Sequence, residues 1–323
     1  MFDPARSYDL IGDVHGCAHT LEKLLSVLGY RFQAGVWRHP ERIALFLGDI
    51  IDRGPLIRES LHIVRDMVKA GHALCIMGNH EFNALGWHTP APPESGKQFV
   101  REHSLRHSKL MGETLAQFEQ YPDEWKEFVD WFYELPLFMD AGRFRVVHAC
   151  WDASLITPLI TMHGGGCINQ EFVQASAVQG SFACAVFDRL LRGTDMRLPH
   201  GITLTGGDGL IREFFRTKFW EDDPQTYGDV VFQPDALPEG VAKTPLSTTE
   251  KNALLRYGAD EPMLFVGHYW RSGIPAPIRP NLACLDYSAV LYGKLVAYRL
   301  DQETCIDPDK FVWVDVERPE GMV

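Results

Sequence analysis

Asp13 and His15 stand two residues apart where the stretch YDLIGDVHG leaves an apolar run. A carboxylate beside an imidazole at such a turn is a pair able to hold a metal ion. One such pair is equally well a capping aspartate and an incidental loop histidine. The pattern, however, recurs along the chain. LFLGDIIDRGP places Asp49 directly after a second apolar run and follows it with Asp52, Arg53 and Gly54. CIMGNHEFNAL brings Asn79, His80 and Glu81 after a third, FRVVHACWD delivers His148 after a fourth, and MLFVGHYW delivers His268 after a fifth.

Mixed Asp, Asn and His donors suit Mn, Fe or Zn better than a calcium cage of oxygens or a thiolate zinc site. Two such cations sharing a bridging carboxylate can hold a hydroxide and clamp a phosphoryl group, stabilising the attacking and leaving oxygens together. Asp13 and His15 are then the first two ligands of a two-metal centre. GD-x-HG and GNHE are short patterns with limited specificity. The five fixed residues of GD-x-x-DRG are another matter: at about 5% usage per residue they arise by chance in a chain of 323 residues with odds on the order of 10⁻⁴.

The elements that must position these residues are readable too. YDLIGD, RIALFLGD, HALCIMGN, FRVVHA, PMLFVGH and NLACLDYS are apolar runs short enough for buried strands. Helical patterns follow the first two, over CAHTLEKLLSVLGY and IRESLHIVRDMVKAGH, the second closing at Gly71. Alternating strands and helices predict an α/β sheet with helices packed on it. Open α/β sheets gather ligands at the carboxyl ends of their strands, so five strand ends can converge on one site. Residues 84–135 read as a mainly helical insertion whose Trp125, Trp131, Phe132 and Tyr133 belong to a helix core. Residues 153–260 read as a loop-rich insertion with short helices such as AVFDRLLRG, and CLDYSAVLYGKLVAYRL as a hairpin turning near Gly293. A single elaborated domain over residues 1–323 is expected.

Composition narrows the partners. A formal net charge of -12 argues against a nucleic-acid or anionic-membrane partner, since phosphate backbones reward clustered Lys and Arg. Small phosphorylated substrates need only local positive charge. Seven scattered cysteines without a CxxC pair read as reduced thiols in a cytoplasmic protein. No signal-peptide pattern opens the chain and no apolar run reaches membrane-spanning length.

GDVHG, GDIIDRG and GNHE, followed by VVHA and VGH, resemble the calcineurin-like metallophosphoesterases. Within them the chain looks like the phosphoprotein phosphatase group, which includes the bacterial symmetrical dinucleoside-tetraphosphate hydrolases. The resemblance implies an α/β fold, a two-sheet β-sandwich flanked by helices, with a binuclear site above the strand ends. It implies that Asp13 and His15 bind one metal, that Asp49 bridges, and that Asn79, His148 and His268 bind the other. In other branches of the superfamily the last histidine reaches the first ion. The implied cofactors are two divalent ions, Mn²⁺ with Fe or Zn as alternatives. Arg53 would grip phosphate oxygens with its planar fork. His80 would protonate the leaving group and Asp52 would orient that imidazole, with in-line attack by a bridging hydroxide.

The chain departs from that pattern at GHYW, where bacterial relatives show GHT, and at HACWD. A second histidine, His163 in MHGGGC, competes with His148, which is preferred because it ends a strand-like run. Arg189, Arg192, Arg212 and Arg216 compete as a second phosphate-binding arginine. Arg216 is favoured, and most of the others are expected at the surface. His19, His39, His62, His72, His88, His103, His107 and His200 are expected at the surface or in the cap, although Trp87 and His88 follow GNHE closely enough to overhang the site. Glu81 is expected to support its turn. The leading expectation is hydrolysis of phosphomonoesters on phosphoprotein Ser, Thr or Tyr. The alternative is hydrolysis of dinucleoside tetraphosphates, and a third is a non-catalytic metal-binding module. An aromatic clamp and extra basic residues from residues 83–135 and 153–260 would favour nucleotides, whereas an open shallow groove would favour phosphoproteins.

Overall fold

Alternation along the first strand shows how the layers form. In the computed structural model, which describes residues 5–199, 201–205, 211–232 and 237–317, successive side chains of strand Ser7–Ile11 enter different cores. Tyr8 and Leu10 join Leu45, Phe144, Val146, Met263 and Phe265 in a cluster drawn from two sheets. Ile11 joins Ala44, Phe46 and the helix residues Leu21, Leu25, Leu61 and Val64 in another. Two sheets therefore face each other, and helices cover their outer sides.

In the first sheet Ser7–Ile11 runs parallel to Arg42–Phe46, which runs parallel to Ala73–Cys75. Lys294–Leu300 pairs antiparallel with Ser7–Ile11, with Asp286–Tyr287 and with Phe311–Asp315. The second sheet orders Leu282–Cys284, Met263–Val266, Phe144–Val147 and Phe138–Asp140. Its first three strands are parallel and the last is antiparallel. All five strands expected to end in a metal-capable residue are present, three in one sheet and two in the other. Within each sheet those strands are parallel, which puts their carboxyl ends at one edge.

Helices Ala18–Leu28 and Ile57–Lys69 follow their strands as the periodicity predicts. Beyond Asn79–His88, the helices Leu105–Gln117 and Pro122–Phe132 bury Trp125, Trp131 and Phe132. Residues 153–192 are more helical than their glycines suggest: Ala153–His163, Gln170–Ala175 and Phe182–Arg192 each start at a side chain, Asp152, Asn169 or Ser181, that accepts an N–H of the first turn. Pro158 sits inside the first of these, which hides it from a pattern reading. Two short hairpins follow, Thr194–Arg197 with Phe214–Thr217 and Leu204–Thr205 with Ile211–Arg212. Leu198, Phe215, Tyr227, Val230, Val241 and Leu246 give this part a small core of its own. His200 and residues 206–210, which include most of the TGGDG stretch, lie outside the described residues. Among the described residues no helix is long and apolar enough to cross a membrane.

Candidate active site

The strand ends meet because their glycines let them. A Cβ on Gly78 would lie 2.2 Å from Asp49 Oδ1, and one on Gly267 would lie 2.1 Å from Asp13 Oδ1. The glycines of GNHE and VGHYW thus leave the space that another strand's carboxylate fills. The backbone is strained here as well. Among the described residues eight non-glycines have positive φ, and six of them, His15, Asp49, Asp52, Arg53, His268 and Ser288, belong to or border this cluster. Strain so concentrated must be held by surrounding contacts, a mark of functional sites.

Asp49 is the common member of two groups of donor atoms. His15, Asp49 and His80 offer atoms within 4.8 Å of one another, and so do Asp49, His148 and His268. Backbone carbonyls set the ring orientations: His15 Nδ1 donates to Ile51 O at 2.8 Å and His148 Nδ1 to Leu47 O at 2.7 Å. Each Nε2 is thereby left facing Asp49 Oδ2, at 3.6 Å from His15 and 3.3 Å from His148. Asn79 Oδ1 lies 3.1 Å from His148 Nε2. Asp13 lines the same cavity but stands outside both groups; its Oδ2 accepts the His268 N–H at 3.2 Å. His268 falls with His148 in the second group.

His80 donates from Nδ1 to Asp52 Oδ2 at 2.6 Å, and the Thr114 hydroxyl donates to the other oxygen of that carboxylate. This fixes the imidazole with Nε2 toward Asp49 Oδ2, 3.9 Å away. Glu81 holds the loop that carries Asp49. Its carboxylate accepts N–H groups from Gly78 at 2.9 Å, Asp49 at 2.8 Å, Ile50 at 2.8 Å and Ile51 at 3.3 Å. The expected turn support is visible, and it ties two of the motifs together.

Electrostatics follow from burial and crowding. Burial, reinforced by Asp286, pushes the Asp13 carboxyl well above its ordinary range. Burial also pushes Asp49 up, but His148 and His80 outweigh it and hold Asp49 well below. Burial and His80 lower His15 to about 3, and burial with Arg216 lowers His268. Burial opposes protonation of His148, yet Asp49 raises it to about 10. His80 is raised likewise, by Asp49 and Asp52 against burial. Neutral His15 and His268 beside an anionic Asp49 are the states that metal ligation requires, whereas Asp13 and His148, both raised, must each give up a proton when a cation binds. Among the described residues, the buried Asp13 Oδ1 and His268 Nε2 have no hydrogen-bond partner. Crowded carboxylates, freed imidazole nitrogens and unpartnered donors together fit divalent cations.

The cluster floors a cavity of about 710 Å³. Its walls correct several expectations. Arg192 and Arg212 line it together with Arg53 and Arg216, Arg192 while also pairing with Asp188 at 3.2 Å; Arg189 turns aside to Asp152, 3.2 Å away. Arg53 is exposed and makes no hydrogen bond or ion pair with the described residues. Arg216 donates to His268 O at 3.4 Å, and burial lowers its pKa. His107 lines the cavity from its helix. Trp87 and His88 do not overhang it: Trp87 stacks on His103 with centroids 3.7 Å apart, and His88 Nε2 accepts the Trp125 indole N–H at 2.8 Å. His163 packs against Phe172, away from the cluster that holds His148. Asp286 was missed. It lines the cavity and directly follows the apolar run NLACL, so the rule that found Asp13 and Asp49 would have found it.

The family model described as calcineurin-like phosphoesterase matches residues 8–222. The asymmetrical bis(5'-nucleosyl)-tetraphosphatase PrpE of Halalkalibacterium halodurans is 45% identical over 74 residues, 23% of this chain and 30% of that one. The protein of the same name from Oceanobacillus iheyensis is 32% identical over 142 residues, 44% and 54% of the two chains. The chain spans about half the length, or less, of these curated relatives. A protein serine/threonine phosphatase from Saccharomyces cerevisiae with similarity to human phosphatase PP5 aligns over 99% of this chain and 82% of that one, with a TM-score of 0.49 and 14% identity.

Proposed function

Since the chain belongs to the calcineurin-like phosphoesterase family, we propose that it hydrolyses phosphoanhydride bonds of nucleoside polyphosphates, with dinucleoside tetraphosphates as the substrate class. The observation that carries this reading is the wall: four arginines, Arg53, Arg192, Arg212 and Arg216, share one cavity with Phe232 and Trp270 above the metal-ligand cluster. One phosphomonoester needs one or two guanidinium forks, whereas a polyphosphate chain offers several anionic groups in a row. The named activity of the bis(5'-nucleosyl)-tetraphosphatase relatives points the same way. Phosphoprotein hydrolysis, the leading expectation from sequence, is favoured by no feature of this wall.

Asp13, His15 and Asp49 would hold one divalent cation, and Asp49, Asn79, His148 and His268 a second. Mn²⁺ is the proposed ion, with Fe or Zn as alternatives; when bound, such ions supply Lewis acidity to phosphoryl oxygens and to water. Arg53 and Arg216 would grip phosphate oxygens and set the line of attack. His80 would give its Nε2 proton to the leaving oxygen, while Asp52, on Nδ1, holds the ring and favours the protonated form. Purified protein supplied with Mn²⁺ should turn over diadenosine tetraphosphate with a kcat/KM above that for phosphoserine, phosphothreonine and phosphotyrosine peptides, and EDTA should abolish that turnover. A preference for the peptides would overturn the reading. The products, AMP with ATP or two ADP, would identify the bond cleaved.

A further inference from the structure

Trp270 is large, aromatic and 39% exposed, although it sits only two residues beyond His268 in the cavity lining. Its neighbour Tyr269 is fully buried and packs against Phe219 and Trp220, with ring centroids 5.5 and 5.2 Å away. Phe232 bridges the buried and exposed parts: its ring lies 5.0 Å from Tyr269, 6.0 Å from Trp220 and 6.3 Å from Trp270. The exposed indole is therefore the outer member of a packed aromatic group. Leu291, 70% exposed, adds apolar surface to the same lining. Apolar area left open beside a strongly polar centre calls for a ligand that is apolar at one end and charged at the other.

We propose that Trp270, supported by Phe232, is the stacking platform for one nucleobase of the substrate. This rests on the nucleoside-polyphosphate reading given above. The backbone fastens platform to phosphate grip, because Phe232 N donates to Arg216 O at 2.7 Å and Arg216 in turn reaches His268 O. A nucleotide has matching parts, a flat π-face tethered to a row of phosphates. Arg192, Arg212 and Arg216 face the anionic part, and Trp270 faces the base. Stacking accepts any base, since each has a π-face, so Trp270 sets selectivity for nucleosides over bare polyphosphate. Among the lining residues the platform comes from the loop after strand Met263–Val266 and from residue 232, not from the aromatic helices of residues 84–135.

Calorimetric titration of the Mn²⁺-loaded protein with two non-hydrolysable probes tests this. Adenosine 5'-(α,β-methylene)diphosphate and methylenediphosphonate share the bridged diphosphonate and differ in the nucleoside. The wild type should bind the nucleoside form about ten-fold more tightly, the order expected for one stacked base. Trp270→Ala should remove that difference, and Trp270→Phe should keep most of it. Equal affinities in the wild type would overturn the platform. So would a Trp270→Ala protein that weakens both probes by the same factor, since that pattern belongs to a disturbed metal centre. Hydrolysis of diadenosine tetraphosphate, measured separately, tests the reading of function. Its absence beside nucleoside-dependent binding would fault that reading and leave the platform supported.

Discussion

Asp9 and Asp13 lie four residues apart, both buried, and they face opposite electrostatic surroundings. Asp9, fully enclosed, accepts Arg42 Nε at 2.9 Å and Arg299 Nε at 3.2 Å, and Arg42 also bonds Asp301. Asp13 has two carboxylates for neighbours, Asp286 and Asp49, against one imidazole, His148, and it accepts the His268 backbone N–H at 3.2 Å. A buried carboxylate with its own guanidiniums is compensated within the protein, and removing it leaves those charges unpaired. One crowded by other carboxylates is a charge deficit waiting for a cation. The residue type is the same, and the neighbours decide the role.

The sharpest way to break this contrast is to neutralise each member. Asp13→Asn should abolish metal-dependent turnover and lower bound metal as read by elemental analysis, with no loss of thermal stability in the chelated protein. Asp9→Ala should do the reverse: keep metal binding and lose about 3–5 kcal/mol of unfolding free energy in urea, because two partly buried guanidiniums lose their partner. If Asp9→Ala lost metal, or Asp13→Asn lost stability, the division of roles would fail.

His80→Ala should reduce kcat by about 10²–10⁴-fold while metal content stays close to wild type. The loss should be larger on a phosphoserine peptide than on a phosphoanhydride, because a phosphate leaves more readily than an alkoxide and needs its proton less. Glu81→Gln comes next. It weakens the hold on four N–H groups of the Asp49 and Gly78 loops, and a supporting residue of this kind costs about 10–100-fold in metal affinity or rate.

Two pH measurements give smaller effects. Asp49 and Asp52 raise the His80 pKa against burial, so the proposed acid stays protonated to higher pH than an ordinary imidazole. Asp52→Asn removes one of these raising partners, and the alkaline limb of the kcat profile should move to lower pH. An unmoved limb would separate His80 from proton transfer. The second concerns Asp13, whose folded pKa is raised by burial and Asp286. A carboxyl raised on folding binds protons in the native state, so its contribution favours folding at low pH and is lost as pH rises from the ordinary carboxylate range through the raised value. In EDTA, wild type should lose Tm relative to Asp13→Asn over that interval, and divalent cations should close the gap.

The contrast between Asp9 and Asp13 also marks where sequence reading works. Both end up in or beside the same strand, but only Asp13 stands after the apolar run and before a glycine-rich turn. The floor of the site was legible for that reason. A buried strand, its terminal glycine and the polar residue that follows are local features, and parallel strands in one sheet bring their ends to one edge whatever the rest of the chain does. Asp13, His15, Asp49, Asn79, His80, His148 and His268 could be named without coordinates. Asp286 obeys the same rule and could have been added.

The wall was not legible. Arg192 ends a helix, Arg212 and Arg216 belong to two different hairpins, Phe232 follows a short helix and Trp270 follows strand Met263–Val266. No period or spacing relates them. They meet because a small core around Phe215, Tyr227 and Val230 folds the second insertion back over the strand ends, and an aromatic group around Tyr269 pins it there. Side chains gathered by packing between distant segments leave no local trace, since each alone reads as an ordinary surface charge or core ring. The sequence by itself therefore determined the chemistry at the strand ends, where local pattern is enough. Only the tertiary structure decided which arginines and aromatics face that chemistry, because that depends on long-range packing.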